Sequence, residues 1–241
     1  MSEATATDLR QESPSAATLF AGVPVLFTAR PQFCEAQAIE RDLMQNARLM
    51  GKDVIEVFSL LREVDTSPEL VDISRCKTKE LLEIDVRDNY SPKMEWLFGF
   101  LGELRPDEKV VIFTAWANMA HILGRLLPQS IVIDGTTKNR QNLVDDFNEG
   151  VGGWQFLIAT DCLAYGANID GADRLVNFDV HPNPQVLKQR SERIHRLTST
   201  RPKFIYNLIG GGVELHIHRI MQDKTVLAEN VASKVMWNYV K

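Results

Sequence analysis

The chain of 241 residues is poor in cysteine, in long apolar runs and in net charge of either sign. Its three cysteines, Cys34, Cys76 and Cys162, stand far apart and form no C-x-x-C pair. That spacing excludes a disulfide framework and a cysteine-based zinc site, and it fits a reducing compartment. No apolar stretch approaches the roughly 18 residues of a membrane span. The first twenty residues carry acids and no apolar core, so no signal peptide is expected. A net charge of −5 rules out a polycation, and any contact with a polyanion has to come from a local patch. The reading is an intracellular protein without a membrane segment, cytoplasmic or nucleoid-associated.

A phosphate-cradling turn of the form G-x-x-x-x-G-K-[ST] is also missing. The single Gly-Lys pair, Gly51-Lys52, is followed by Asp53 and has Asn46 where the first glycine should be. It reads better as the end of a helix. Asp107-Glu108 precedes a strand instead of ending one, so it is no magnesium-binding carboxylate pair and reads as a surface turn after Pro106. His216 and His218, two apart, point to different faces of a helix, and no metal site is expected. Asp145-Asp146 reads as a solvated helix face. Trp116, at a strand end, could stack on a base or fill a gap between helix and sheet, and the second is favoured.

What is present is an alternation. Residues 1–21 are rich in Ser, Ala and Thr. VPVLFT (23–28) has strand character, Gln32 to Leu61 turns helical, and Val54, Val57, Phe58 and Leu61 begin a second helical stripe. TSPEL (66–70) is a turn and 71–90 a charged connector. At Ser91 the character changes. SPKMEWLFGFL offers Ser91 as an N-cap, Pro92 at the first helical position and Glu95 for a capping box. Strands are expected at 109–114, 130–134, 155–160, 173–179 and 203–209. Helices are expected at 117–127, 138–148, 184–196 and 213–234. Strands separated by helices of about ten residues imply βαβ units and a parallel sheet. Ligands of such sheets sit beyond the carboxyl ends of the strands. Those ends are rich in short hydroxyls and carboxylates, such as Thr114, Asp134 to Thr137, Thr160-Asp161 and Asp179, which suits a phosphate-bearing ligand.

The richest run is Gln189-Arg190-Ser191-Glu192-Arg193-Ile194-His195-Arg196. On a helix Gln189, Arg193 and Arg196 share a face at i, i+4 and i+7. Charge runs are most often solvated surface, but a guanidinium is also the group suited to two-pronged phosphate binding. Lys188, Arg190, Arg193, Arg196, Arg201 and Lys203 against Glu192 give a local charge of about +5. That is the one credible polyanion footprint in an acidic chain.

This run resembles motif VI of superfamily-two helicases, Q-x-x-x-R-x-x-R, in its Swi/Snf-like form. Other blocks agree in order. SPKMEWLFGFL resembles the opening of that group's second lobe, and KVVIFTAW resembles motif IV. IDGTTKNRQNLVDDFN resembles the D-G-S/T-T … R … F-N segment. LIATDCLAYGANIDGADRLVNFD resembles motif V, HPNPQ the segment before motif VI, and VELHIHRIMQDKTVLAENV the closing helix. The match spans about 91–232. More loosely, 23–70 resembles the last strand of the first lobe and the helical joint between lobes.

The resemblance implies an α/β fold: a RecA-like doubly wound parallel sheet with helices on both faces, preceded by a mainly helical N-terminal segment. It implies two parts, 1–90 (extension, end of the first lobe and connector) and 91–241 (the helicase C-terminal RecA-like domain). Arg193 and Arg196 would be arginine fingers. Gln189, Gly166, Asn168 and Asp161 would serve the nucleotide. Thr114, Thr136, Thr160, Arg140 and Lys188 would meet a nucleic-acid backbone. ATP and Mg²⁺ would be shared with a first lobe carrying the Walker A and DEAH-type motifs, and the partner would be DNA, double-stranded by preference. Without that lobe the chain would hydrolyse no ATP.

Three departures stand out. Cys162-Leu163-Ala164-Tyr165 falls where motif V usually has a glycine pair, Thr198-Ser199 replaces Gly-Gln, and His181 replaces Trp. The alternatives are a degenerate module that binds nucleic acid or a partner without ATPase activity, and some other doubly wound α/β enzyme. The second would need a G-x-G-x-x-G turn after a first strand, whereas Gly210-Gly211-Gly212 follows the last.

Overall fold

The computed structural model describes residues 25–29, 54–67, 70, 91–164, 166–195, 202–210 and 213–222. The expectations for 1–21, for the helix between Gln32 and Gly51, for the 71–90 connector, for Arg196 and for the chain beyond 222 lie outside them.

Six strands form one parallel sheet: β1 (Val25–Ala29), β2 (Val110–Phe113), β3 (Ser130–Ile133), β4 (Phe156–Ala159), β5 (Arg174–Asn177) and β6 (Phe204–Leu208), in the order β1-β6-β5-β2-β4-β3. The helices are α1 (Val54–Thr66), α2 (Pro92–Gly102), α3 (Ala117–Leu126), α4 (Arg140–Glu149), α5 (Pro184–Ile194) and α6 over residues 213–222.

The central strands are buried on both faces, which is why they read as unbroken apolar runs rather than alternating ones. Their side chains divide by parity. Val110, Ile112, Ile158 and Val176 pack on one face with Met94 and Leu97 of α2 and Met119 and Leu123 of α3. Val111, Phe113, Leu157 and Leu175 pack on the other with Val144 and Phe147 of α4 and Ile194 of α5. This is the RecA-like two-faced sheet, and all its strands deliver their carboxyl ends to one edge.

Two local expectations are corrected. The strand near 23–28, likened to the last strand of a first lobe, belongs to this sheet: Val25 pairs with Phe204 through to Ala29 with Leu208, in parallel. Ser91 stands at the N-cap position of α2, but its side chain caps nothing there. Its hydroxyl donates instead to the Thr66 carbonyl at 3.0 Å, so it joins α1 to α2. An exposed Glu95 makes no capping box.

Candidate functional site

The carboxyl edge of the sheet is organised around two buried residues, Asp179 and Arg190. Asp179 follows β5 and is out of solvent. It accepts from the Thr114 hydroxyl at 2.5 Å and from the Ala115 amide at 2.8 Å, and so holds the turn that leaves β2. Trp116 donates its amide to Thr114 Oγ1 and heads α3. Its ring is partly buried against the core, with the Arg62 guanidinium 5.5 Å from its centroid.

Arg190, on α5, is fully buried. Its Nε donates to Asp161 Oδ1 at 2.7 Å, and Nη2 lies 2.7 Å from the same oxygen. Nη1 donates to Asn177 Oδ1 at 3.2 Å, and Asp179 Oδ1 is 3.7 Å from Nη2. The guanidinium faces the Phe113 ring at 5.4 Å. Asn177 donates in turn to Asn207 Oδ1 at 2.8 Å. A polar seam thus runs beneath the edge from β6 through β5 and α5 to β4 and β2. A buried guanidinium is tolerated because two carboxylates and an amide surround it.

The loop after β4 carries the residues expected from motif V. Thr160 is buried, its amide bonded to the Ile133 carbonyl and its hydroxyl 3.3 Å from the Cys162 sulfur. Asp161 opens a single turn of 3₁₀ helix, Asp161–Leu163. Its second oxygen, Oδ2, lies 3.9 Å from His181 Nε2. Burial holds the His181 imidazole below its ordinary value, with Arg190 and Arg62 adding to the effect and Asp161 opposing it. Gly166 is exposed, has φ +89°, and has nothing among the described residues within 4 Å of where a Cβ would lie. The Asn168 carbonyl accepts from Asn148 Nδ2 at 2.9 Å.

Arg193, one helical turn from Gln189, donates Nε to the Gln189 carbonyl at 3.2 Å and Nη1 to the Ala167 carbonyl at 3.3 Å. Its own carbonyl accepts from the Ile169 amide at 2.9 Å. Gln189 keeps a buried Oε1 with no hydrogen-bond partner among the described residues. Gln189, Arg193 and the Ala167–Ile169 backbone therefore meet on one side of α5, with Asp161 joined to the same helix through Arg190.

Other expectations are corrected. Helix α5 ends at Ile194, and His195 is extended (φ −108°, ψ 119°). The i, i+4, i+7 argument thus reaches Arg193 but not Arg196, which lies outside the described residues. Thr114 is fully buried with its hydroxyl given to Asp179, so it presents nothing to a nucleic acid. The supposed basic patch dissolves in part. Arg190 is internal, and Lys203 is buried, donating to the Ala172 carbonyl at 2.7 Å and to Asp173 at 2.9 Å. Lys188 is exposed, 3.9 Å from Glu192.

Near β3, Asp134 Oδ1 accepts from the amides and hydroxyls of both Thr136 and Thr137 at 2.8 to 3.0 Å. The Thr136 hydroxyl, and with it the other bonds from Thr136, Thr137 and His121, holds this carboxyl well below its ordinary range, against the effect of burial. Thr136 remains exposed. Arg140 ties the same turn by donating to the carbonyls of Thr137 at 3.1 Å and Gly135 at 2.6 Å. Asp145 lies on the solvent face of α4. Among the described residues no three His, Cys, Asp or Glu side chains are grouped to hold a metal ion, and no helix is long and apolar enough to cross a membrane.

Two structural devices escaped the sequence reading. Lys93 and Glu214 form a buried pair joining α2 to α6, and Asn148 fastens the loop after β4. For the pair, the available signal was charges set among apolar residues, Lys93 in SPKMEWLFGFL and Glu214 in VELHI; Asn148 gave none.

The helicase conserved C-terminal domain model matches residues 92–198. Those residues belong to that family. They form the C-terminal RecA-like lobe found in the Swi/Snf-like superfamily-two group. It is 31% identical over 150 residues to the ATP-dependent helicase fft1 of Schizosaccharomyces pombe, a match covering 59% of this chain and 16% of that protein. It is 34% identical over 139 residues to Protein CHROMATIN REMODELING 19 of Arabidopsis thaliana (53% and 18%). It is 30% identical over 190 residues to the DNA repair and recombination protein RDH54 of Saccharomyces cerevisiae strain RM11-1a (71% and 21%). The chain thus spans about a fifth of these relatives. The solved C-terminal part of the Fun30 ATPase domain shares the fold, with TM-score 0.63 and 18% identity over 84% of this chain and 90% of that one.

Proposed function

We propose that this helicase C-terminal domain is the second motor lobe of an ATP-dependent DNA translocase. ATP and Mg²⁺ would be held between it and a first lobe bearing the Walker A and DEAH-type motifs. Mg²⁺ would fall to that first lobe, whose DEAH-type motif would supply the carboxylate. What this lobe offers a nucleotide is a guanidinium and an amide. The observation that carries the reading is Arg193, half-buried, seated on the Ala167 carbonyl beside Gln189, whose side-chain oxygen is buried without a partner among the described residues. A guanidinium held there can meet charge developing on a transferred phosphoryl group. Arg196 would supply a second.

Double-stranded DNA is the polyanion proposed. Exposed Thr136, Arg140 at the same turn, exposed Lys188 and exposed Gly166 would meet its backbone without reading sequence. An intracellular location follows from that partner.

The test supplies a first lobe, in trans or fused, and measures DNA-stimulated ATP hydrolysis. Arg193→Ala is expected to lower turnover by about 10³-fold or more while DNA binding stays within about twofold. Unchanged turnover in this variant would defeat the finger assignment. The competing reading, a module that binds DNA or a partner without hydrolysis, is favoured by buried Leu163 and Ala164 where glycines would give the loop freedom. It predicts no DNA-stimulated turnover in any pairing.

A further inference from the structure

We infer that Arg190 is a positioning residue that, together with Arg193, locks the described parts of the loop after β4, Thr160–Ala164 and Gly166–Ile169, to α5 so that they move as one body with the helix. Three residues apart on the helix, these arginines grip opposite ends of the same loop. Arg190 holds Asp161 at its entry through two guanidinium nitrogens, each 2.7 Å from Oδ1. Arg193 holds its exit through the Ala167 carbonyl, and the Ile169 amide returns a bond to the Arg193 carbonyl at 2.9 Å.

The two grips differ in kind. Arg193 is partly accessible and bonds only to neutral carbonyls among the described residues, so a ligand can compete for it. Arg190 has no exposed surface and is boxed by Asp161, Asn177, Asp179 and the Phe113 ring, so no ligand reaches it. Its role therefore acts through Asp161. The carboxylate is fixed by one oxygen from below, while Oδ2 is left on the side of His181. Between the grips lies exposed Gly166, at φ +89°. A phosphate docking there would displace a segment with little slack at either end, and the displacement would pass to Arg193 and Gln189 on the same helix. Asp179 extends the lock to β2 through Thr114 and Ala115. A lysine could not reproduce it, because one ammonium cannot span Asp161 and Asn177 together.

The lock itself is independent of the motor reading; its consequence for turnover rests on that reading. The test has two arms. Amide hydrogen exchange is followed on the whole chain for Arg190→Lys and Asp161→Asn. Exchange at the Ala164 and Ile169 amides is expected to accelerate by about tenfold or more, with the β2 and β4 amides unchanged. Should Arg190→Lys fail to fold, Asp161→Asn, altered on a partly exposed side chain, still decides the matter. Unaltered loop exchange in a folded variant overturns the lock.

With a first lobe supplied, the ratio of DNA-stimulated to basal ATP turnover is expected to fall at least about tenfold in Arg190→Lys. A faster-exchanging loop with an unchanged ratio overturns the positioning role. A wild type without DNA-stimulated turnover sinks the motor reading, and the exchange arm still judges the lock.

Discussion

Lys93 Nζ and Glu214 Oε2 lie 2.5 Å apart with essentially no solvent on either side chain. Glu214 also accepts from the Gly210 amide at 2.5 Å and the Val180 amide at 3.3 Å, and its own amide donates to Asp65 at 3.2 Å. Glu214 thus gathers α2 and the ends of β5 and β6 through its carboxylate, and the last turn of α1 through its amide. Arg62 adds a bond from α1 to the Val180 carbonyl at 3.3 Å. Helix α1 is therefore built onto this lobe.

Removing the ammonium leaves a buried carboxylate unpaired. Lys93→Met is expected to cost about 3–5 kcal/mol of unfolding free energy near neutral pH. Burial already raises the Glu214 carboxyl above its ordinary value despite the attraction of Lys93. Without Lys93 it rises further, and a group with a raised folded pKa favours the folded state at low pH and loses that advantage as pH increases. The deficit of the variant should therefore shrink as pH falls. Urea titrations across the acid range check this, and a deficit independent of pH would contradict it.

Asp134 predicts the opposite sign. Its carboxylate is stabilised by the Thr136 and Thr137 donors, so its folded pKa lies below the ordinary 3.8. Such a group contributes stability above its unfolded pKa and loses it as pH falls through the folded one. The wild type should exceed Asp134→Asn in stability at about pH 7, and the gap should be narrower but still open at about pH 2.5, which lies between the unfolded and folded values. Denaturant midpoints of both proteins at the two conditions measure it.

The strands were legible because a doubly covered parallel strand has no choice but to be apolar throughout, as Val110–Phe113 and Phe156–Ala159 are. The carboxyl edge was legible from topology, since parallel strands deliver Thr160-Asp161 and Asp179 to the same side. What periodicity could not tell was which arginine of α5 faces inward. Arg190 is buried by Asp161, 29 positions away, and by Asp179, 11 positions away. A local charge count sees neither partner. The same blindness hid the partner of Ser91, which does stand at the N-cap but whose hydroxyl serves Thr66 across 25 positions rather than its own helix. Arg196 was assigned to a face of α5 because nothing in the run Ile194-His195-Arg196 announces the extended residue that ends the helix.

At the opposite edge of the sheet, Glu108 holds Arg174 through Nε at 3.2 Å and Nη2 at 2.7 Å, and Arg174 reaches the Tyr206 hydroxyl at 3.0 Å. The guanidinium also lies 5.2 Å from the Phe204 ring and 5.8 Å from that of Phe100. Glu108 is thus more than the surface turn its sequence suggests. Burial would raise its carboxyl, but the Arg105 amide and Arg174 outweigh that and lower it. Arg174→Ala is expected to cost about 1–2 kcal/mol, because the pair is partly solvated and ring contacts add to it. It should leave the Asp161 end of the loop after β4 untouched, since that end lies at the carboxyl edge and Arg174 opens β5 at the other. Equal hydrogen exchange at the Ala164 amide in variant and wild type would verify that separation.

Asn148 supplies the last prediction. It ends the F-N pair of α4, with Phe147 wholly buried beneath it. Its Nδ2 donates to the Asn168 carbonyl and its Oδ1 accepts from the Gly171 amide, both at 2.9 Å. The two backbones approach so closely that a Cβ at Gly171 would lie 2.8 Å from Asn148 Cα. Asn148→Ala deletes both bonds and leaves a half-buried amide and carbonyl to find water, at a cost of about 1–3 kcal/mol. Gly171→Ala forces the backbones apart and is expected to cost a similar 1–3 kcal/mol or so. Because both act on one contact, the double variant should cost clearly less than the sum of the two. Full additivity in a denaturation cycle would mean that Asn148 and Gly171 do not meet as described.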